Sequence, residues 1–485
     1  MAWRSGRPLF KQSTSSGSLG RTLYFSRWRT TKARPFPLDL QQSKDEEGLF
    51  GEFKTLEFLK IYGNVQLIGM GPVVDLGVKV LTSPWMEVYP VRAVALWGVK
   101  HTVYSHFCAG QNIEEASETL QRMWELGLRG ILDYGLEDAI DNASCDRNLE
   151  KFLQVVRQTS LLPQGSVSSS CVKLSAVCPI ELLERVSNLL RWQHVNRGFK
   201  LPWKQDVIPF LSENSLVYHV TSPPEPLTKE EEANLVSAHE RLTRLCKACE
   251  QEGLPLLIDA EYSSVQPAID YIIHAAAAEF NKGAQLLVYG TVQAYLKDSF
   301  SRLKLAARGS QYRGLSYGVK LVRGAYMSRE SRLASSLGAL APTHSNIEET
   351  HRCYDACAAF MLEQAAHGDG AVVLATHNVK CSAILASTFC QEAAAKVQEL
   401  GFSKENPRVQ FAQLKGMADV LSLRLAQEGF RVSKYLAFGP VEDVIPYLVR
   451  RTEENRGLLR KTLIERQSIS AEISRRVLRP LRLQQ

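Results

Sequence analysis

The chain has 485 residues, 45% apolar and 22% charged, which is enough to bury a large core and too ordinary a balance for a disordered or fibrous protein. Its net charge of +7 sits at the front: Arg4, Arg7, Lys11, Arg21, Arg27, Arg29, Lys32 and Arg34 precede the first acid, Asp39. The remainder is therefore close to neutral and offers no general basic surface to nucleic acid. No apolar run approaches the roughly 18 residues of a membrane span, and the most apolar stretch near the front, 91–106, is cut by Arg92, Lys100 and His101.

Residues 1–40 are rich in Arg and Ser, poor in acid and dotted with Trp3, Phe10, Leu23, Phe25 and Trp28. That composition predicts an organellar import presequence, with a disordered basic arm as the alternative. Residues 41–110 read as an N-terminal helical region, broken at Gly69-Met70-Gly71-Pro72 and at Ser83-Pro84. The glycine pair lacks the third glycine of a dinucleotide motif and runs straight into proline, so it is read as a turn.

Beyond Gly110, short apolar runs alternate with long amphipathic stretches eight times. The runs are Gly130–Tyr134, Cys171–Leu174, Leu256–Asp259, Leu286–Tyr289, Tyr317–Val322, Val372–Ala375, Val409–Phe411 and Val432–Leu436. Continuous apolar runs suit strands buried on both faces of a parallel sheet. Helical patterns at Ala233–Glu252, Asn346–Ala366 and Val441–Leu459 separate them. The fold predicted for 111–470 is α/β, a (βα)8 TIM-like barrel, leaving 471–485 as a tail; a doubly wound sheet is the competitor. Residues 191–230 form an insertion after the second run, and the Ser- and Ala-rich stretch 327–346 follows the fifth, placed to help close the active face.

The ten cysteines fit reduced, structural thiols better than a disulfide framework. Cys246 and Cys249 lack the second pair that a zinc site needs, and Cys353 and Cys357 are one helical turn apart.

In a barrel, polar residues at the C-terminal ends of strands are the functional candidates. They are Lys173, Asp259, Gln293, the pair Lys320 and Arg323, and Thr376-His377-Asn378. Singly each has a structural reading, Lys173 as a salt-bridge partner of Asp259 and His377 as a hydrogen-bonded core residue. Together they form a ring of charge that is costly to desolvate without a ligand. After the last strand, Gly439-Pro440 turns the chain into a helix read from Val441, with Glu442 and Asp443 in its first turn. Arg450, Arg451 and Glu454 crowd one side of that helix, and from spacing alone a solvated face with ordinary i,i+4 pairs explains them better than a carboxylate fork does.

Five ordered segments are similar to the motifs of the proline dehydrogenase family. They are Val172-Lys173-Leu174-Ser175-Ala176, Ile258-Asp259-Ala260-Glu261, Lys320-Leu321-Val322-Arg323-Gly324-Ala325-Tyr326, Ala375-Thr376-His377-Asn378 and Tyr447-Leu448-Val449-Arg450-Arg451-Thr452-Glu453-Glu454. The resemblance spans about 110–465 and is nearest to mitochondrial, plant-type enzymes, which implies the mitochondrion as the destination of the presequence. It implies a distorted (βα)8 barrel that holds FAD at the strand ends and oxidises L-proline to 1-pyrroline-5-carboxylate. It implies further that Arg450 and Arg451 pair the substrate carboxylate with Lys173 beside them, that Glu454 keeps the arginines in register, and that Asp259 bears on Lys173. Tyr326 and Tyr435 would wall the ring, while Gln293, Lys320, Val322, Gly324 and His377 would line the flavin. Relatives commonly carry Arg where Lys320 stands, and Lys cannot make the same forked contact. A quinone acceptor and peripheral association with the mitochondrial inner membrane are also implied. So is selectivity, since a tyrosine at 435 crowds a ring hydroxyl and favours proline over hydroxyproline. The alternatives are a hydroxyproline dehydrogenase of the same family, a Schiff-base lyase using Lys173, and a catalytically silent scaffold.

Overall fold

The structure is a computed structural model that describes residues 63–458 apart from 65, 67–70, 82, 218, 284–285, 378–395, 398, 402 and 404–405. The predicted presequence, most of 41–70, Asn378 and the tail lie outside the described residues. Eight parallel strands close in sequence order: β1 Arg129–Tyr134, β2 Val167–Val172, β3 Leu256–Ile258, β4 Val288–Gln293, β5 Tyr317–Val322, β6 Gly370–Ala375, β7 Val409–Leu414 and β8 Val432–Phe438. β8 pairs with β1 (Ile131 opposite Tyr435), so no edge is left open and the doubly wound alternative is excluded.

The two faces of the barrel explain the continuous apolar runs. Outward side chains such as Val172, Ile258, Val319, Leu321, Val372, Leu374 and Val432 pack against the surrounding helices. Inward ones, among them Ile131, Cys171, Leu257, Tyr289, Val373, Ala412 and Tyr435, fill the interior. Two strands are displaced from their predicted places. β2 is Val-Ser-Ser-Ser-Cys-Val and ends before Lys173, with Ser168 hydrogen-bonded inside the barrel to Ser433 and Gln410. β4 begins two residues later than read and runs on through Gln293.

The helices start where their caps dictate. α1 Gly71–Leu81 and α2 Tyr89–Val99 precede the barrel; α3 Ile113–Glu125 is capped by Asn112. α4 Asn142–Gln158 follows β1, with a capping box from Asp141 and Ser144. α5 Ile180–Val195 and α6 Lys229–Gln251, which carries its own box from Thr228 and Glu231, flank the insertion. In that insertion Leu201, Val207, Ile208 and Phe210 are buried against the helical layer. α7 Gln266–Phe280, α8 Ser299–Tyr312, α9 Met327–Ser336, α10 Ile347–Ala366 and α11 Asp419–Gln427 continue the ring. α12 is Ile445–Leu458, so it begins four residues after the predicted start. Pro446 accounts for the shift, because its missing N–H and fixed φ are tolerated only in a first turn. Glu442 and Asp443 consequently lie in the turn before the helix, and Glu442 pairs with Arg92 of α2 at 2.7 Å.

The N-terminal segment is latched to the last strand. Tyr104 donates to the Gly439 carbonyl at 2.8 Å, Lys415 Nζ donates to the carbonyls of Ser105 and His106, and Cys108 bridges to Ala437. Tyr104, Phe107, Leu96, Val99 and Val103 thereby share one cluster with Val444, Tyr447 and Leu448 around α12. Among the described residues no helix is long and apolar enough to cross a membrane.

Candidate active site

A cavity of about 320 Å³ opens at the C-terminal ends of the strands. The twelve residues given roles by the resemblance all line it: Lys173, Asp259, Gln293, Lys320, Val322, Gly324, Tyr326, His377, Tyr435, Arg450, Arg451 and Glu454; so do the strand-end candidates Arg323 and Thr376. They divide by position. The sector from β8 through β1 to β3, roofed by α12, carries most of the charges; the sector from β4 to β7 is amides and small apolar side chains with the cations Lys320 and Arg323.

In the charged sector Lys173 is buried, its Nζ 3.6 Å from Glu137 and 3.9 Å from Asp133. Burial opposes its charge, but the two carboxylates outweigh it and hold the ammonium above its usual range. That protonated state leaves no amine lone pair to attack a carbonyl, which weighs against the lyase alternative. Glu137 also receives both Nη atoms of Arg450 at 2.8 Å, and the two cations overcome burial to bring it down to about 2.

Asp259 departs from the expected pairing. It forms its ion pair with Lys320, not Lys173. Lys173, from the end of β2, has the nearer carboxylates of β1 and the loop after it; Lys320 crosses the barrel from β5 to reach Asp259. Asp259 also accepts from the Tyr435 hydroxyl at 3.0 Å and from the Cys171 thiol at 3.0 Å. Against the pull of burial, Lys320 and Lys173 hold its carboxyl below the ordinary range. Burial, with Asp133 and Asp259 close by, pushes the Tyr435 hydroxyl well up, so it stays a donor.

On α12, Glu454 accepts from Arg451 Nη2 at 2.7 Å, while Arg450 is held by Glu137 rather than by Glu454. The arginines lie over aromatic rings, Arg450 5.4 Å from the centre of Tyr326 and Arg451 5.1 Å from that of Tyr447. Sequence reasoning missed Glu137, Asp133 and Tyr447 as site groups. Tyr447 stood inside a recognised motif, and its hydroxyl is buried with no hydrogen bond among the described residues. Glu137 lies three residues beyond the strand β1, where no motif drew attention to it.

In the other sector, Gln293 donates to the Glu261 carbonyl at 2.8 Å and Gln413 to that of Thr376 at 3.3 Å. Arg323 meets His351 at 3.0 Å, hydrogen-bonds Thr376 and lies over Tyr354. Gly324 has φ +130°, and a Cβ there would fall 2.3 Å from the Tyr295 ring. Small side chains (Ala375, Ala412, Val322), amide edges and cations are the donor set and the flat wall that an isoalloxazine requires, so these residues fit a flavin. Residues 327–346, the stretch expected to close the active face, do not line the cavity; α9 packs on the loop after β3, where the buried Glu330 accepts from the Ser263 amide at 2.7 Å and from the Ser263 hydroxyl.

Beneath Gln293 the buried Glu261 accepts from the Ser175 amide at 3.0 Å, and burial raises its carboxyl to about 7. A carboxyl raised from an unfolded value near 4.5 favours folding fully below pH 4.5 and loses that contribution as pH climbs through 7. The loss is about 3 kcal/mol in order of magnitude. Glu261→Gln keeps the acceptor and removes the titration, so it should raise Tm at pH 8 and leave Tm at pH 4.5 nearly unchanged. Equal Tm differences from wild type at the two pH values would refute this.

Residues 116–462 match the family model described as proline dehydrogenase. The chain belongs to the proline dehydrogenase family. It is 45% identical to mitochondrial proline dehydrogenase 2 of Arabidopsis thaliana, over 91% of each chain. Against mitochondrial proline dehydrogenase 1 of the same plant it is 44% identical over 90% of this chain and 86% of the relative. Hydroxyproline dehydrogenase of Bos taurus is more distant, 31% identical over 92% and 96%. Among solved structures, proline utilization A from Bdellovibrio bacteriovorus, inactivated by N-propargylglycine, superposes with a TM-score of 0.60 at 20% identity. It shares the fold over 88% of this chain and 40% of that longer one.

Proposed function

We propose that the chain is a mitochondrial, FAD-dependent proline dehydrogenase that oxidises L-proline to 1-pyrroline-5-carboxylate. The observation that carries this reading is the junction of two unlike walls in one cavity. A paired-arginine and lysine sector suits an amino-acid carboxylate, and a small-residue, amide-edged sector suits a planar ring system. Hydroxyproline dehydrogenases match at about two thirds of the identity of the plant enzymes, and Tyr435 stands where a ring hydroxyl would need room.

Arg451 and Arg450 receive the substrate carboxylate, with Lys173 beside it. Because the Arg450 fork is already engaged by Glu137, substrate binding shares or displaces that pair. Tyr326 and Tyr435 flank the pyrrolidine ring and keep water from it. Five cations line the cavity (Lys173, Lys320, Arg323, Arg450 and Arg451) against the carboxylates of Asp259 and Glu454. That balance disfavours a protonated substrate amine, and the ring nitrogen must be neutral before its neighbouring carbon can release hydride. The chemistry a flavin supplies when bound is acceptance of that hydride, with Gln293, Lys320, Val322, Gly324 and His377 holding the ring system. Electrons then pass to a quinone, and the protein meets the inner membrane peripherally. Trp85, Tyr89 and Trp97, each at least 65% exposed on and before the apolar α2, support that contact.

The decisive test is the visible spectrum of the purified protein. A flavin spectrum that bleaches on anaerobic addition of L-proline is expected. A colourless protein that no flavin reconstitutes would sink the reading.

A further inference from the structure

Beneath the cavity, one oxygen of Asp259 is shared and the other is committed. Oδ1 receives the Cys171 thiol at 3.0 Å and pairs with Lys320, whose Nζ is 4.0 Å from the same sulfur. Oδ2 receives the Tyr435 hydroxyl at 3.0 Å, and the Lys320 ammonium lies 5.0 Å from the centre of the Tyr435 ring. Both ends of Tyr435, its hydroxyl and its ring face, are thus held by the groups that converge on Asp259. Cys171 is 1% exposed, inside the barrel on β2 and opposite Asp133 of β1.

We propose that Cys171 is a positioning residue for substrate selectivity, acting through Asp259 on Tyr435. The carboxylate has two neighbours on its Oδ1 side. With the thiol donor in place the carboxylate is fixed edge-on, Oδ1 toward Lys320 and Cys171, Oδ2 toward Tyr435. Without it, Lys320 alone defines that side, and the carboxylate is free to rotate so that the ammonium bridges both oxygens. Tyr435 then loses its Asp259 acceptor at 3.0 Å and is left to the neighbouring Asp133, and with that it loses the orientation that crowds a ring hydroxyl. The sulfur stays protonated for this task, because burial and the Asp259 charge push the thiol well above its usual range. It acts by donating a hydrogen bond, with no covalent bond made or broken; a thiol is a weak donor, and the charge on the buried acceptor strengthens the contact.

This inference rests on the proline-oxidising reading above, and the experiment separates the two. Cys171→Val fills the space without a donor, and Cys171→Ser restores one. Each is compared with wild type and with Tyr435→Ser for kcat/KM on L-proline and on hydroxyproline, with Tm measured alongside. Cys171→Val should lower the proline-to-hydroxyproline preference about three- to tenfold, in the direction of Tyr435→Ser, with Cys171→Ser returning it toward wild type. An unchanged preference in Cys171→Val would overturn the proposal. So would a serine variant that loses preference as far as valine does, since packing alone would then be responsible. If valine prevents folding, Cys171→Ala takes its place under the same two criteria. A wild-type protein that oxidises neither substrate would instead defeat the functional reading.

Discussion

Arg451→Ala should lower kcat/KM for L-proline by two to three orders of magnitude, roughly 3–4 kcal/mol, with a large share in KM. The guanidinium is 6% exposed, fixed by Glu454 at 2.7 Å and seated near the face of Tyr447. Its geometry is set before substrate arrives, so little entropy is lost on binding. Removing it leaves Glu454 beside the carboxylate site without its cation, and attraction becomes repulsion. Arg451→Lys should recover only part of the loss, because an ammonium restores charge but not the fork. Steady-state kinetics with an artificial acceptor check this. A KM within twofold of wild type in Arg451→Ala would show that the carboxylate binds elsewhere.

Gly324→Ala should be among the most damaging single-methyl changes at the described residues. The residue follows β5 at φ +130°, where an L side chain is strained whatever its surroundings, and the added carbon would lie 2.3–2.6 Å from three atoms of the Tyr295 ring. Tyr295 cannot yield easily: it is 1% exposed, and its amide is tied to the Arg323 carbonyl at 2.7 Å. The combined strain and overpacking is about 3 kcal/mol or more, or a fall in Tm of several degrees for a chain of this size. The displaced loop carries Arg323 and Tyr326, so flavin content in the purified protein should fall with Tm. A variant with wild-type Tm and flavin content would refute this.

Much of the barrel was legible because strands buried on both faces must be apolar, and that signal is local. It failed where the interior is polar. Three consecutive serines disguised β2, since Gln410 and Ser433, the partners of Ser168, come from strands far along the chain. The start of α12 was misread because a proline can continue an apolar pattern while forbidding the helix upstream of it. Site membership was legible from motif order, but pairings were not. Lys173, Lys320, Asp133, Glu137 and Asp259 offer several neutralising combinations, and only barrel closure decides which ammonium reaches which carboxylate. Glu137 carried no sequence signal, although it holds both Lys173 and Arg450.

The latch between the N-terminal segment and β8 has a consequence for how the chain is made. Tyr104 bonds a carbonyl 335 positions later, Cys108 bridges to Ala437, and β1 completes its pairing only with β8. Contacts of such sequence separation carry the largest loop-closure entropy and form late. A nascent chain can form βα units as they emerge but cannot seal the ring or seat its own front until residues near 438 are free of the ribosome. The segment around Tyr104 and Cys108 is therefore among the last of the described residues to settle, and the barrel stays unclosed until β8 has emerged.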